Sequence, residues 1–238
     1  MQKSKLKSFL ICLSLTIEFL LLTLNYSYST PSTQIWNPST DIQGYKTFHL
    51  GIDNYFSITD NRNSPVAFPT DIGLTYGAAK NLEVGIDLFY PSENPVYFNL
   101  KYGFPEKNNL PAYAVGVFYV GTKDDVTDYN IFYGVLAKTL KDTGRISLGY
   151  YIGNSKLLVD ENGNKENTGL IFTIDKVINE KVWTAIDYAS GKSFYGNLSF
   201  GVSYNFAPNT SVIFGYTIYN NKNINKNNTF TTQLDINF

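Results

Sequence analysis

The stretch TFTTQLDINF, residues 229–238, sets the pattern that decides the fold. Its apolar and polar side chains alternate, so that Leu234, Ile236 and Phe238 share one face of an extended chain and the polar residues between them share the other. Successive side chains of a β-strand point to opposite faces. The stretch therefore predicts a strand whose two faces meet different surroundings.

The same alternation recurs along the rest of the chain, with turn residues between the segments. We predict about twelve strands, near residues 44–56, 68–78, 81–90, 95–103, 111–121, 128–139, 144–153, 167–176, 181–189, 196–206, 210–219 and 229–238. Each is close to the length of about 9–11 residues that a tilted strand needs to cross a membrane. Short turns alternate with longer polar loops such as 153–167, and only the link at 104–110 is longer than this rule expects.

The polar faces of these strands carry charges and glycines. The charged residues that we expect to line an interior are Asp53, Asp71, Glu83, Asp87, Lys101, Lys138, Arg145, Asp187 and Asp235. Glycines such as Gly134 and Gly201 lie among them and leave room for inward side chains. In a soluble sandwich this face would meet bulk water, where so many glycines would weaken the strands. The sequence therefore favours an all-β, closed, antiparallel up-and-down transmembrane barrel over a soluble exported β-protein, which remains the alternative.

Aromatic residues support a membrane boundary. The chain has 19 Tyr and 17 Phe, and Tyr combines an apolar ring with a polar tip that suits a lipid–water interface. The pattern places Tyr102 and Tyr204 near one rim of the barrel and Tyr119, Tyr129 and Tyr150 near the other. Two such belts are typical of outer-membrane barrels.

The N-terminus predicts export. Lys3, Lys5 and Lys7 precede an apolar stretch at residues 9–24, and small residues follow, which is the pattern of a secretory signal peptide cleaved after residue 29. We expect residues 30–43 to form an N-terminal periplasmic segment and residues 44–238 to form the barrel. The single cysteine lies within the signal, so the remaining chain has no disulfide and no cysteine-based metal site.

These features together resemble bacterial outer-membrane β-barrel proteins of the small, porin-like kind, whose last strand ends in an aromatic residue as here at Phe238. The segment QIWNPSTDIQGYKTFHLGIDNYF, residues 34–56, also resembles the start of a group of uncharacterised bacterial outer-membrane proteins. The resemblance implies location in the bacterial outer membrane, contact with lipid and lipopolysaccharide, and recognition of Phe238 by the barrel-assembly machinery.

Nothing in the sequence predicts an enzyme. An outer-membrane phospholipase would need a histidine facing lipid, but the one histidine, His49, lies between Phe48 and Leu50 on the apolar face and therefore points inward. The loop at 160–167 lacks the ligand spacing of an EF-hand calcium site. A formal net charge of −1 does not provide the excess of positive charge that is typical of nucleic-acid-binding proteins. We predict no catalytic residue, no cofactor and no metal site.

Two functions stay open. The first is a narrow, porin-like channel for small solutes with a mildly acidic lumen, because acidic inward positions outnumber basic ones. The alternative is a non-conducting structural or adhesive surface barrel, in which opposite charges pair across a filled lumen. A membrane-embedded lipid-processing enzyme is a weaker third hypothesis.

Overall fold

The computed structural model describes residues 32–57 and 68–238, so the expected signal peptide at 1–29 lies outside the described residues. Within them the chain forms strands β1 Phe48–Phe56, β2 Thr70–Ala79, β3 Leu82–Tyr90, β4 Val96–Phe104, β5 Ala112–Gly121, β6 Asp128–Leu140, β7 Gly144–Ile152, β8 Thr168–Asn179, β9 Val182–Ala189, β10 Asn197–Ala207, β11 Thr210–Tyr219 and β12 Thr229–Asn237. No helix in these two ranges is long and apolar enough to span a membrane.

The twelve strands form one closed antiparallel barrel. Each strand pairs with its neighbours in the chain, and β1 closes the ring by pairing with β12 from His49–Asn237 to Phe56–Phe230. Closure pairs the backbone groups that a sheet edge would leave open. The predicted fold and strand order are confirmed, and most strand ends agree to within a few residues.

The connections divide the barrel into two ends. Turns such as 141–143 and 208–209 lie at the short-turn end, together with the start of β1 and the end of β12. There the backbone N–H of Phe48 donates to the Phe238 carbonyl at 2.7 Å. Loops such as 153–167 and 220–228 lie at the long-loop end. This distribution agrees with the prediction, including the longer link that follows β4.

The outer surface is apolar. Large exposed side chains alternate with buried ones along the strands, and we call this set the outer belt: Phe98, Leu100, Phe132, Leu136, Leu148, Leu170, Ile186, Val202 and Phe214. Soluble monomers rarely expose a continuous apolar surface of this extent. An apolar band around a closed barrel is what a membrane-spanning barrel presents to lipid.

The structure corrects the predicted orientation of Lys138. In β6 the buried residues are Ile131, Tyr133, Val135 and Ala137, so Lys138 shares the outer face with exposed Phe132 and Leu136. Gly134 also lies on this outer face. The inward face of β6 is itself apolar, because it packs against an aromatic cluster, and hydropathy alone could not distinguish the two faces.

Lys138 instead fastens the longer link at the short-turn end. Its Nζ lies 2.7 Å from Glu106 Oε1, and the Thr139 backbone N–H donates to Glu106 Oε2 at 2.9 Å. These donors hold the pKa of Glu106 at about 2. The link between β4 and β5 is therefore tied to the end of β6 by a charged group that stays ionised at any physiological pH.

Candidate functional site

The lumen is occupied by the chain's own N-terminal residues. Residues 32–43, which we expected to form a periplasmic segment, fold inside the barrel as a lumenal hairpin, and that prediction is wrong for them. The hairpin reverses at a turn in which the Gln34 backbone N–H donates to the Asn37 carbonyl at 2.7 Å. A bridge between Thr33 and Pro38 pairs its two arms.

Asp187 on β9 holds the tip of the hairpin. Its Oδ2 accepts the backbone N–H groups of Ile35, Trp36 and Asn37 at 3.0, 2.9 and 3.1 Å. Asp187 is fully buried. Successive backbone N–H groups that converge on one anion form a concave anion-binding site, and here the anion is a carboxylate of the barrel wall.

Neighbouring residues of the barrel wall also contact the tip of the hairpin. Gln34 Nε2 donates to Asp175 Oδ1 at 3.2 Å, and Gln233 Nε2 donates to the Ile35 carbonyl at 2.8 Å. The Ile35 side chain packs with Trp183, Ala185 and Ile213. It rests over Gly201, where an added Cβ would lie 3.1 Å from Ile35 Cδ1, so a glycine leaves the room that this side chain occupies.

Glu83 on β3 holds the base of the hairpin at both of its arms. Ser32 Oγ donates to Glu83 Oε1 at 2.7 Å, and the Gln43 backbone N–H donates to Oε2 at 2.7 Å. Lys101 Nζ lies 3.2 Å from Glu83 Oε1 and 3.2 Å from the Ser32 carbonyl. One buried carboxylate therefore joins the two arms of the hairpin to the wall.

A second ion pair fixes the arm of the hairpin that follows the turn. Arg145 on β7 donates through Nη1 to Asp41 of the hairpin at 2.7 Å and through Nε to Asp175 at 2.9 Å. The guanidinium is mostly enclosed, with its side chain 18% exposed. Charged hydrogen bonds of this kind are worth more than neutral ones because both partners are ionised.

Aromatic rings surround Trp36 at the turn. Its ring centroid lies 5.3 Å from Tyr55, 6.0 Å from Tyr195 and 6.1 Å from Tyr219. These rings belong to a buried cluster that also contains Leu158 from a long loop. The tip of the hairpin and the inward-folded loops therefore fill this part of the lumen together.

A side cavity remains between the hairpin and strands β1–β6. It has a volume of about 110 Å³. Its wall includes Asp53, Asp71, Asp87, Trp36, Tyr119 and Tyr133. Since a site for one water needs roughly 10–15 Å³ on this measure, the cavity has room for several waters or a small solute.

Tyr119 reaches the cavity through a bulge that the sequence pattern did not reveal. The register of β5 against β6 shifts between Phe118 and Val120, and Tyr119 adopts a positive φ of 55°. The extra residue reverses the alternation, so Tyr119 turns inward instead of joining the aromatic belt that we predicted for it. Tyr129 likewise packs against the internal aromatic cluster.

The single histidine is a wall residue of the lumen, as predicted. His49 is 4% exposed, and its Nε2 lies 3.4 Å from Asp235 Oδ1 on the adjacent strand. Its Nδ1 lies 3.2 Å from Asn237 Oδ1. The imidazole faces away from the outer belt, where an enzyme acting on lipid would need its base.

The structure thus divides the nine predicted lumenal residues by role. Asp53, Asp71 and Asp87 line the side cavity, while Glu83 and Lys101 line it and also hold the hairpin. Asp187 and Arg145 bind the hairpin, and Asp235 pairs with His49. Lys138 alone lies outside the lumen. The sequence pattern did not identify four further residues of the lumen: Trp36, Gln34, Asn99 and Tyr119. Trp36 could have been noticed, because it is a large aromatic residue in a polar segment that we expected to lie in water.

Comparison with solved structures places this architecture among known barrels. The KdgM porin matches with a TM-score of 0.53 at 11% sequence identity, over 81% of this chain and 99% of that one. The NanC porin, in a rhombohedral crystal form, matches with a TM-score of 0.50 at 11% identity, over 78% of this chain and 97% of that one. The chain has the fold of a small porin. No family model matches the sequence, and no curated protein does either.

At this identity the likeness of the porin-fold barrel to its neighbours is one of architecture. The inward side chains described above belong to this chain, and they determine the chemistry of its lumen.

Proposed function

We propose that this porin-fold barrel is a narrow channel for small solutes in the bacterial outer membrane, with lipopolysaccharide and lipid around its outer belt. The observation that carries the proposal is a closed barrel, apolar outside, whose polar interior keeps a cavity beside a hydrogen-bonded hairpin. The apolar exterior supports a position in lipid. The cavity supports passage or binding of a small polar solute beside the lumenal hairpin.

The charges of the cavity wall favour cations. Lys101 pairs with Glu83, and His49 pairs with Asp235. Asp53 and Asp71 face each other across the β1–β2 pairing, and Asp87 faces Gly73, two residues further along β2. The carboxylates in this part of the wall thus outnumber its basic groups, and a lining with an excess of acidic side chains attracts cations and repels anions.

Planar-bilayer recording tests the channel and its selectivity. We expect the purified barrel to give small, steady steps with K⁺ preferred over Cl⁻. We expect Asp53→Asn combined with Asp71→Asn to lower the K⁺/Cl⁻ permeability ratio markedly, because the wall then keeps only Asp87 of its three carboxylates without a basic partner. Asp124→Asn, an exposed carboxylate in the loop after β5, is the matched control and should change nothing. A barrel that stays silent both intact and without its lumenal hairpin would contradict the proposal.

A specific observation favours a second candidate, a non-conducting surface barrel. Glu161 in the loop after β7 accepts hydrogen bonds from Asn221 and Asn223 in the loop after β11, at 2.6 and 3.1 Å. These donors lower the pKa of Glu161. Loops tied in this way offer an ordered outer surface. If the barrel is a surface protein of this kind, removal of residues 221–223 should abolish its binding to other surfaces, and neither the altered nor the unaltered barrel should conduct ions.

We also propose the barrel-assembly machinery as a partner that contacts Phe238. The ring is 62% exposed and lies 5.7 Å from the Phe48 ring, beside the pairing that closes the barrel. We expect Phe238→Ala to lower the amount of barrel assembled in cells, because this exposed contact is lost, while the purified chain still refolds in detergent. Phe206→Ala, an exposed aromatic at the same end, is the control. Equal losses for the two variants would argue against a special role of Phe238.

A further inference from the structure

The side cavity combines buried acceptors that lack donors with an aromatic wall. We propose that it is a binding site for a small organic cation that carries N–H donors, such as a primary ammonium or a guanidinium group. The inference deepens the channel proposal by naming a solute class, and it rests on that proposal because the ligand reaches the site through the lumen.

The first argument is an unmet need for donors. The Oδ1 atoms of Asp53 and Asp71 are buried, and neither has a hydrogen-bond partner within residues 32–57 and 68–238. Buried acceptors are normally paired, because leaving them without a donor forfeits the hydrogen bonds that they make in water. These two oxygens line the cavity, so a ligand placed there can supply the missing donors.

The second argument is charge. Like charges on directly opposed positions of paired strands are destabilising, and Asp53 and Asp71 occupy such positions. Basic side chains of the cavity wall are directed elsewhere, since Lys101 contacts Glu83 and His49 contacts Asp235. A cation between the two carboxylates would offset their repulsion.

The third argument is the aromatic wall. Trp36, Phe118, Tyr119 and Tyr133 line the same cavity. The faces of aromatic rings attract organic cations, and the attraction grows when the cation is removed from water. A ligand with a charged, donor-bearing head and a short apolar body fits this combination of carboxylates and rings.

One amide joins the acidic and aromatic sides of the site. Asn99 Nδ2 donates to Asp87 Oδ2 at 2.6 Å, and the Tyr119 backbone N–H donates to Asn99 Oδ1 at 3.3 Å. The bulge that turns Tyr119 inward is thereby fastened to a cavity carboxylate. A positive φ at a tyrosine persists only where its surroundings fix it, and such positions cluster at functional sites.

The size of the cavity limits the ligand. A volume of about 110 Å³ suits a molecule with on the order of five to ten non-hydrogen atoms. We therefore choose n-butylammonium as the probe. The neutral 1-butanol and the anionic butyrate have similar bodies without the positive charge.

Titration calorimetry of the folded barrel in detergent tests the site directly. We expect saturable binding of n-butylammonium, no binding of 1-butanol or butyrate, and at least about tenfold weaker binding after Asp53→Asn combined with Asp71→Asn, since two charged acceptors are lost. Asp142→Asn, an exposed carboxylate in the turn after β6, should bind like the unaltered chain. Heat-modifiable migration in gels verifies that each variant is folded.

The outcomes separate this inference from the channel proposal. Absence of binding to the unaltered barrel, or equal binding by the double variant, overturns the inference even if the barrel conducts. Binding that depends on the two carboxylates supports it even if bilayer recordings stay silent, in which case the channel proposal fails alone. If the double variant does not fold, Tyr119→Leu takes its place, and unchanged binding by that variant overturns the inference.

Discussion

Deletion of residues 32–43 is expected to raise the single-channel conductance of the barrel severalfold. The lumenal hairpin occupies the interior with two arms of chain and the buried side chains of Ile35 and Trp36. Conductance depends on the water-filled cross-section, and a twelve-stranded barrel encloses more room than an eight-stranded one that side chains fill. Without the hairpin, ions have a wider path through the same wall.

A single substitution should give a weaker version of the same effect. Asp187→Asn removes the negative charge of the carboxylate that accepts hydrogen bonds from the backbone N–H groups of Ile35, Trp36 and Asn37. Hydrogen bonds to charged groups contribute about 1.5–3 kcal/mol each, so a loss of several kcal/mol from the tip is expected even when the bonds are not additive. Brief openings to the larger conductance should follow.

Two measurements check this prediction. Bilayer recordings give the conductance of the unaltered, deleted and Asp187→Asn barrels, and hydrogen exchange gives the protection of the backbone N–H groups at the tip. Asp142→Asn serves as the control for a lost carboxylate. Equal conductance with and without residues 32–43 would show that the hairpin does not obstruct the path.

The second large effect concerns the outer belt. Leu148 is the central residue of β7, is 59% exposed, and pairs across the sheet with Leu136 and Phe172. An arginine at the middle of a lipid-facing strand costs about 2–4 kcal/mol because its charge is removed from water. We therefore expect Leu148→Arg to lower the free energy of unfolding in lipid vesicles by about that amount.

The matched control for Leu148→Arg places the same charge outside the belt. Val126 is 44% exposed and lies in the loop between β5 and β6, outside the outer belt. Val126→Arg should leave stability nearly unchanged. If Leu148→Arg is equally harmless, and the chain stays folded and monomeric in buffer without detergent, the belt does not face lipid.

The sequence was sufficient for the barrel because alternation records the two environments of each strand. Strand β12 shows this plainly, with Leu234 and Ile236 on one side and buried Gln233 and Asp235 on the other. The pattern fails where the interior is apolar. In β6 the inward Ile131 and Val135 are as hydrophobic as the outward Phe132 and Leu136, so the pattern does not show that Lys138 lies on the outer face.

The hairpin lay beyond local reasoning for a different reason. Its contacts join residues far apart in the chain, as when Asp187 binds Trp36 or Gln233 binds Ile35. Nothing in the local pattern around Asp187 distinguishes an acceptor of backbone N–H groups from a solvated carboxylate. The inward position of Tyr119 is not predictable from the pattern, because the register of β5 shifts between Phe118 and Val120 and the alternation breaks there.

The pairing of β1 with β12 has a consequence for biogenesis. The outer edge of β1, on the side away from β2, is paired only when the last strand exists, so a ribosome-bound or truncated chain that ends before Thr229 leaves one edge of β1 and one edge of β11 with unpaired backbone groups. Unpaired strand edges of this kind tend to pair with other chains and so promote aggregation. Contacts that span almost the entire chain also form slowly. A chain that lacks β12 therefore cannot close into a barrel, and we expect it to aggregate more readily than the full-length chain.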